Sequence, residues 1–302
     1  MSNWGPGLYS NDFALDLRSI LRSLSRLPFD GERILDIARN AARDESTNLQ
    51  HEEYTTFWLV VADQFQKRGI PDRSVLETAL AIVDSDADIA TMRALEMTES
   101  DIRKRSAKMI ELRERLTNGP LRQRGPTLGK PRSFLMNVGD VFAYPVRDGK
   151  GINPYFVDYR ARFGWVPNMW SAFLVVDRGR AFEYLPWYTI MTLRQELADL
   201  PTLETLRGEL WAFHGAGTSS ATHMKRLELK SLGNVPLDRD RLEKAFPKLP
   251  DGIEAAISDV SIANHLMSLS DSRTPYNSGL CSHIERLETA SLADLREIGL
   301  KA

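Results

Sequence analysis

Between Gly119 and Ser133 the chain interleaves Pro120, Gly125, Pro126, Gly129 and Pro131 with Arg122, Arg124, Lys130 and Arg132, and carries no acidic residue. Proline and glycine at this density break both helix and strand, so no regular element crosses the run. The break constrains the fold strongly because the apolar period differs on its two sides. Upstream, apolar residues recur at helical spacing; downstream, they approach strict alternation. The expected organisation is a helical domain over 1–118, a linker over 119–133 and an α+β domain over 134–302. In the last, a mainly antiparallel sheet carries flanking helices. The basic residues of the break read as a solvated linker in preference to a phosphate contact.

The upstream half opens on Trp4-Gly5-Pro6-Gly7-Leu8-Tyr9-Ser10-Asn11-Asp12-Phe13-Ala14-Leu15-Asp16. Gly5, Pro6 and Gly7 make a stiff, bent lead-in, and Ser10, Asn11 and Asp12 offer side-chain oxygens to cap a helix. Trp4 is expected to pack back against the helices that follow. Phe13, Leu17, Ile20, Leu21 and Leu24 line one face of the first helix. A second helix follows Asp30-Gly31 and ends near Arg43, and residues 44–53 read as a solvated loop or helix entry. Tyr54, Phe57, Trp58, Val61 and Phe65 give the clearest helical stripe, closed by Gly69 and Pro71. Val75, Leu76, Ala79, Leu80 and Val83 form another stripe, with Asp84, Asp86 and Asp88 as a solvated face. Thr98 with Asp101 resembles a capping box for a long helix along Ile102, Met109, Ile110, Arg113 and Leu116.

Downstream, Val138 to Val146 reads as a strand with Asp148-Gly149 as its turn. Further strands are expected at Tyr155 to Tyr159, Ser171 to Val176 (ending at Asp177-Arg178-Gly179), Glu209 to His214 and Met224 to Leu229. Short helices are expected at Met191 to Leu200, Leu242 to Phe246, Ile253 to Ile257 and Ile284 to Leu295. The stretch Arg162 to Trp170 contains Gly164 and Pro167 and reads as a loop presenting two tryptophans.

Chemistry is hard to find. The net charge of -2 gives no general attraction to nucleic acid, and the single cysteine, Cys281, excludes an internal disulfide. No apolar run reaches the roughly 20 residues of a membrane helix, and no secretion signal is expected. The default expectation is a cytoplasmic protein without a membrane partner. The histidines His51, His214, His223, His265 and His283 show no metal-ligand spacing, so no metal or cofactor is expected. His214-Gly215-Ala216-Gly217-Thr218-Ser219-Ser220 lacks the lysine of a phosphate-binding loop and reads as a hairpin loop. Asp140, Asp148, Asp158 and Glu183 are carboxylates without a local partner. Aromatic residues crowd Tyr144 to Trp187, and tryptophan, tyrosine and arginine are enriched at interface hot spots.

The opening run resembles a bacterial family of uncharacterised proteins that begins Trp-Gly-x-Gly-x-x-x-Asn-Asp-x-Ala-Leu-Asp, which implies a helical fold. The second half resembles the immunity protein twenty-six family of polymorphic toxin systems. That likeness rests on Gly139-Asp140-Val141-Phe142-Ala143-Tyr144-Pro145-Val146-Arg147-Asp148-Gly149, on Ala172 to Val176 and on Leu232-Gly233-Asn234-Val235-Pro236-Leu237. It implies a protein that binds and neutralises a cognate toxin without catalysis, and the loop from Arg162 to Trp170 departs from the family pattern. The partner-binding candidates are Asp140, Tyr144, Trp165, Trp170 and Trp187. Two other readings stay open: a hydrolase or nucleotide-processing enzyme using Asp140, His214 or His223, and an adaptor docking through Ile102 to Leu116.

Overall fold

The computed structural model describes residues 5–120, 122–209, 211–237 and 252–267. It divides into two compact units, Met1–Lys130 and Pro131–Ala302, and its architecture is α+β, with helices first and an antiparallel sheet after. No described helix is long and apolar enough to cross a membrane. Trp4, Cys281, His283 and the helices expected at Leu242 to Phe246 and Ile284 to Leu295 lie outside the described residues.

The first unit is built from α1 (Asp12–Leu24), α2 (Gly31–Ala41), α3 (Arg43–Thr47), α4 (Tyr54–Arg68), α5 (Arg73–Asp84), α6 (Ala87–Ala94) and α7 (Glu99–Asn118). Short polar side chains start four of them. Asn11 accepts from Ala14 N–H at 2.7 Å, Asp30 from Arg33 at 2.9 Å, Asp72 from Val75 at 3.0 Å and Thr98 from Asp101 at 3.3 Å. α4 is the centre. Every residue from Thr55 to Phe65 is buried, so the helix has no solvent face. It stops at Gly69 in the left-handed conformation, φ 67°. A Cβ there would sit 2.0 Å from the Arg122 carbonyl oxygen, so the Pro/Gly-rich run passes directly over it. That run is also tied to the unit by Leu128 N–H donating to the Arg26 carbonyl at 2.8 Å and Arg124 to the Leu27 carbonyl at 2.9 Å.

One expectation for this unit is sharpened and one is corrected. Residues 44–53 include α3 and end on Glu53, only 3% exposed and held by Asn11. Asp88 is not on a solvated face: it is 1% exposed and paired with Arg105, Nε to Oδ2 2.8 Å. Arg105 also donates to the Gly7 carbonyl at 2.7 Å, so a single buried cation ties α6, α7 and the opening run together.

The second unit holds β1 (Asp140–Arg147), β2 (Lys150–Gly151), α8 (Tyr159–Phe163), β3 (Met169–Ala181), β4 (Leu185–Leu193), β5 (Trp211–Gly217), α9 (Ala221–Arg226) and β6 (Lys230–Asn234). Two short helices follow, α10 (Ile253–Ser258) and α11 (Ile262–Met267). The strand order is β2-β1-β3-β4-β5, and β6 pairs with β1 beside β2, all antiparallel. Alternation sends Phe142, Tyr144, Val146, Phe173, Val175, Tyr188 and Ile190 to one face, where they meet Trp165, Leu227 and Leu266. Val141, Ala172, Leu174, Val176, Met191 and Leu193 go to the other, against Leu206, Trp211 and Val235. Because both faces are covered, β4 is buried along its whole length.

This two-sided burial explains several corrections. Met191 to Leu193 end a strand and do not begin a helix; a wholly apolar run has no period that separates the two. β3 continues past Asp177-Arg178-Gly179, with a bulge between Val175 and Asp177 that absorbs the extra residue. Gly215 and Gly217 belong to β5, not to a hairpin loop. Met224 falls in α9, which Ser220 caps by accepting from His223 N–H at 3.1 Å, and the returning strand starts only at Lys230. Tyr155 to Tyr159 is not a strand; it runs into α8 through Asp158 at φ 56°.

Candidate functional site

The segment between β2 and β3 is fixed at its ends and exposed between. Ile152 and Trp165 are 5% and 7% exposed and pack into the sheet core, whereas Tyr155, Phe156, Val157, Phe163 and Val166 reach solvent. The exposed rings support one another. Phe156 and Phe163 meet edge-on with centroids 5.4 Å apart, Tyr159 lies 4.8 Å from Phe163, and Tyr159 reaches Trp165 at 6.5 Å. Arg162 stands 5.4 Å from both the Phe156 and Phe163 centroids, and Arg160 stands 5.2 Å over Trp165. The Arg160 fork grips Glu228 with bonds of 2.7 and 2.6 Å. Arg226 donates to the Pro154 carbonyl at 3.0 Å, tying α9 to the start of the segment. An open cavity of about 670 Å³ lies between them, walled by Phe156, Tyr159, Arg160, Lys225, Arg226 and Glu228 among others.

Rings held by rings, with guanidinium groups over them, form a presented surface whose rotamers are already restricted. Such a surface is suited to burying an apolar patch of a partner while the cations choose among partners by charge.

Beside it, His223 meets the Tyr155 ring at 4.7 Å, and its Nδ1 lies 3.3 Å from the Ser261 hydroxyl. Burial, and secondarily Arg226, hold the imidazole below its ordinary pKa, so it is neutral near pH 7. Ser261 is 5% exposed, and its hydroxyl oxygen also accepts from Ala263 N–H at 3.2 Å at the start of α11. The pair can pass a proton, but the hydroxyl is engaged in capping. Among the described residues no group of three His, Cys, Asp or Glu could hold a metal.

Four of the five candidates from the sequence fall elsewhere. Tyr144 is wholly buried, and burial pushes its phenol up. Trp187 is 5% exposed, its indole enclosed between Gly179 and Gly252. Trp165 is the buried anchor just described. Trp170 is half-buried in β3 and bridges Leu197 through main-chain bonds of 2.7 and 2.8 Å. Asp140 accepts from Asn137 N–H at 2.7 Å and Asn234 Nδ2 at 2.8 Å, which closes the start of β1. No hydrogen bond among the described residues joins Asp140 to His223. The expected loop from Arg162 to Trp170 is thus partly helix and partly strand, and its tryptophans are not its exposed rings. Phe156, Arg160, Phe163 and Val166 were missed. The readable signal was Asp158 and Gly164 bracketing Tyr159–Phe163, two residues that tolerate the left-handed turn each adopts, at φ 56° and 57°.

The long-helix alternative is also constrained. Ile102, Met109, Leu112 and Leu116 of α7 are buried in their own unit, leaving Ile110 as its large exposed apolar side chain. Comparison with protein-family models, curated proteins and solved structures finds nothing that this chain matches.

Proposed function

We propose that this protein works in the cytoplasm by binding another protein through residues 155–166, and that the partner is a bacterial toxin it neutralises. The observation that carries the reading is the self-supported cluster of Tyr155, Phe156, Val157, Phe163 and Val166 at the surface, interleaved with Arg160 and Arg162. Large apolar groups exposed together are what soluble proteins avoid unless something covers them. The likeness of the strand around Asp140 to immunity proteins supplies the class of partner, and occlusion of the toxin's active site supplies the mechanism. Co-expression with the product of the adjacent gene tests it. The neighbour should be toxic alone and harmless with this chain, and Phe163→Ser with Val166→Ser should restore toxicity while the chain stays folded. A harmless neighbour, or equal killing in both strains, sinks the proposal.

The rival enzymatic reading has one observation in its favour, the neutral His223 beside Ser261. It requires the serine to leave its capping role and meet substrate. Turnover of an ester probe that disappears in Ser261→Ala at unchanged stability supports it; absence of turnover, or turnover unaffected by that substitution, removes it.

A further inference from the structure

We infer that the face of the helical unit around Tyr9 binds an oligophosphate anion, two or more linked phosphate groups, through Arg18, Arg22, Lys67 and Arg68. α1 places Arg18 and Arg22 one turn apart on the same exposed side, and α4 carries Lys67 and Arg68 in its last turn. The Arg18 guanidinium stands 5.0 Å over the Tyr9 ring and the Lys67 ammonium 5.5 Å over the same ring. Gln64 Nε2 donates to the Tyr9 hydroxyl at 2.5 Å, and Gln64 Oε1 accepts from Arg68 Nε at 3.1 Å. One chain of contacts therefore gathers cations from two helices at one phenol.

The carboxylate in this network is already taken. Asp63 is 0% exposed and accepts from Tyr9 and Arg115, with Lys67 Nζ at 2.8 Å. Among the described residues no carboxylate lies within ion-pair distance of Arg18, Arg22 or Arg68. Burial chiefly lowers the Arg68 pKa, and Arg22, Arg26 and Arg18 push it the same way while Tyr9 opposes them, so these cations stand within electrostatic reach of one another. Complementing a helix dipole accounts for a cation in each last turn. It does not account for mutual repulsion, or for Arg18 a turn earlier.

Phosphate is the matching chemistry because guanidinium forks engage its oxygens in pairs and spread charge over several centres. A chain of phosphates fits better than a nucleic acid. The ring in the network is covered by Arg18 and Lys67, which leaves no platform for a base to stack on. The site shares no residue with the proposed toxin surface, so either can fail alone.

Calorimetric titration of the full chain with tripolyphosphate, against sulfate at equal ionic strength, tests the inference. Saturable binding of tripolyphosphate is expected, with sulfate far weaker. Arg18→Gln with Arg22→Gln should weaken it about a hundredfold, near tenfold for each charge-assisted hydrogen bond removed. The unliganded melting temperature should hold or rise as repulsion is relieved. Should the double substitution unfold the chain, Arg22→Gln alone carries the test with a tenfold loss, and Arg103→Gln, exposed on α7, should change nothing. Equal affinity for sulfate, or full affinity in the variants, overturns the proposal. Binding of a single-stranded oligonucleotide without tripolyphosphate binding overturns it in favour of nucleic acid.

Discussion

α4 and β4 are each buried on every side, one at the centre of each unit, and they meet burial differently. α4 satisfies its backbone internally, which leaves side chains to make its cross-ties. Asp63 and Gln64 lie inside the unit, and the nearby buried pairs are Asp88–Arg105 and Asn11–Glu53. β4 satisfies its backbone through ladders to β3 and β5, and its polar side chains inside are threonines. Its lateral ties are already made, so its side chains are left to pack. The helical unit is therefore expected to be sensitive to removal of one charge, and the sheet unit to a change in volume.

The largest test of that contrast is Arg105→Ala. It strands the Asp88 carboxylate, 1% exposed, beside Thr55 alone at 3.3 Å. Breaking a buried pair costs about 3–5 kcal/mol, whereas replacing both partners by apolar residues of similar volume is often neutral. Urea unfolding followed by the helical signal should show the full loss for Arg105→Ala and a large recovery for Arg105→Met with Asp88→Leu. A loss below about 1 kcal/mol for the single substitution would place this pair with surface ion pairs and end the contrast.

Gly179→Ala probes the sheet unit by volume. The new Cβ would meet Trp187 Cζ2 at 2.4 Å, and the indole has little room to move with Gly252 on its other side. Overpacking of this kind costs about 1–3 kcal/mol. Adding Trp187→Leu should make Gly179→Ala nearly neutral relative to Trp187→Leu alone. Independent costs in the two backgrounds would mean that the glycine is needed for some reason other than the ring.

Thr98→Ala comes next, at about 1 kcal/mol, because one N-cap acceptor is lost at the surface with nothing stranded inside. Chemical denaturation at neutral pH measures it. A loss as large as that of Arg105→Ala would mean that the cap and the buried pair share one cooperative network.

The two units also differed in how far their residues announced them. Helix starts were legible because Asn11, Asp30 and Thr98 act locally, within three residues of the amides they cap. β4 was not, because a strand covered on both faces loses its alternation and Leu185 to Leu193 reads as a continuous apolar run. Asp88 looked solvated because its partner lies 17 residues away and only packing brings it near. The candidate surface was legible as an aromatic density, but which rings turn outward depends on packing that no spacing encodes. Trp165 and Trp187, large enough to fill a core, are buried, while Trp170 stays half-buried in β3. The smaller Phe156 and Phe163 were left for the surface.

The smallest effect, and the one that separates the units by sign, is the response to acid. Burial chiefly raises the Glu53 carboxyl above its ordinary pKa of 4.5; Glu52 adds to this, while Thr56, Asn11 and His51 oppose it. The folded helical unit then holds a proton that the unfolded chain has released, so it loses stability as pH rises through the window above 4.5. His223 runs the other way. Burial and then Arg226 hold it below 6.5, so the folded sheet unit refuses a proton that the unfolded chain accepts. Its contribution is complete above that value and is lost as pH falls through the lowered one. Hydrogen exchange across this range, read separately for the amides of α4 and of β4, should show their protection moving in opposite directions on acidification. Glu53→Gln should flatten the first response and His223→Gln the second. If either substitution leaves both slopes unchanged, the titrating group lies elsewhere and the contrast between a cross-tied helix and a packed strand rests on the substitutions above alone.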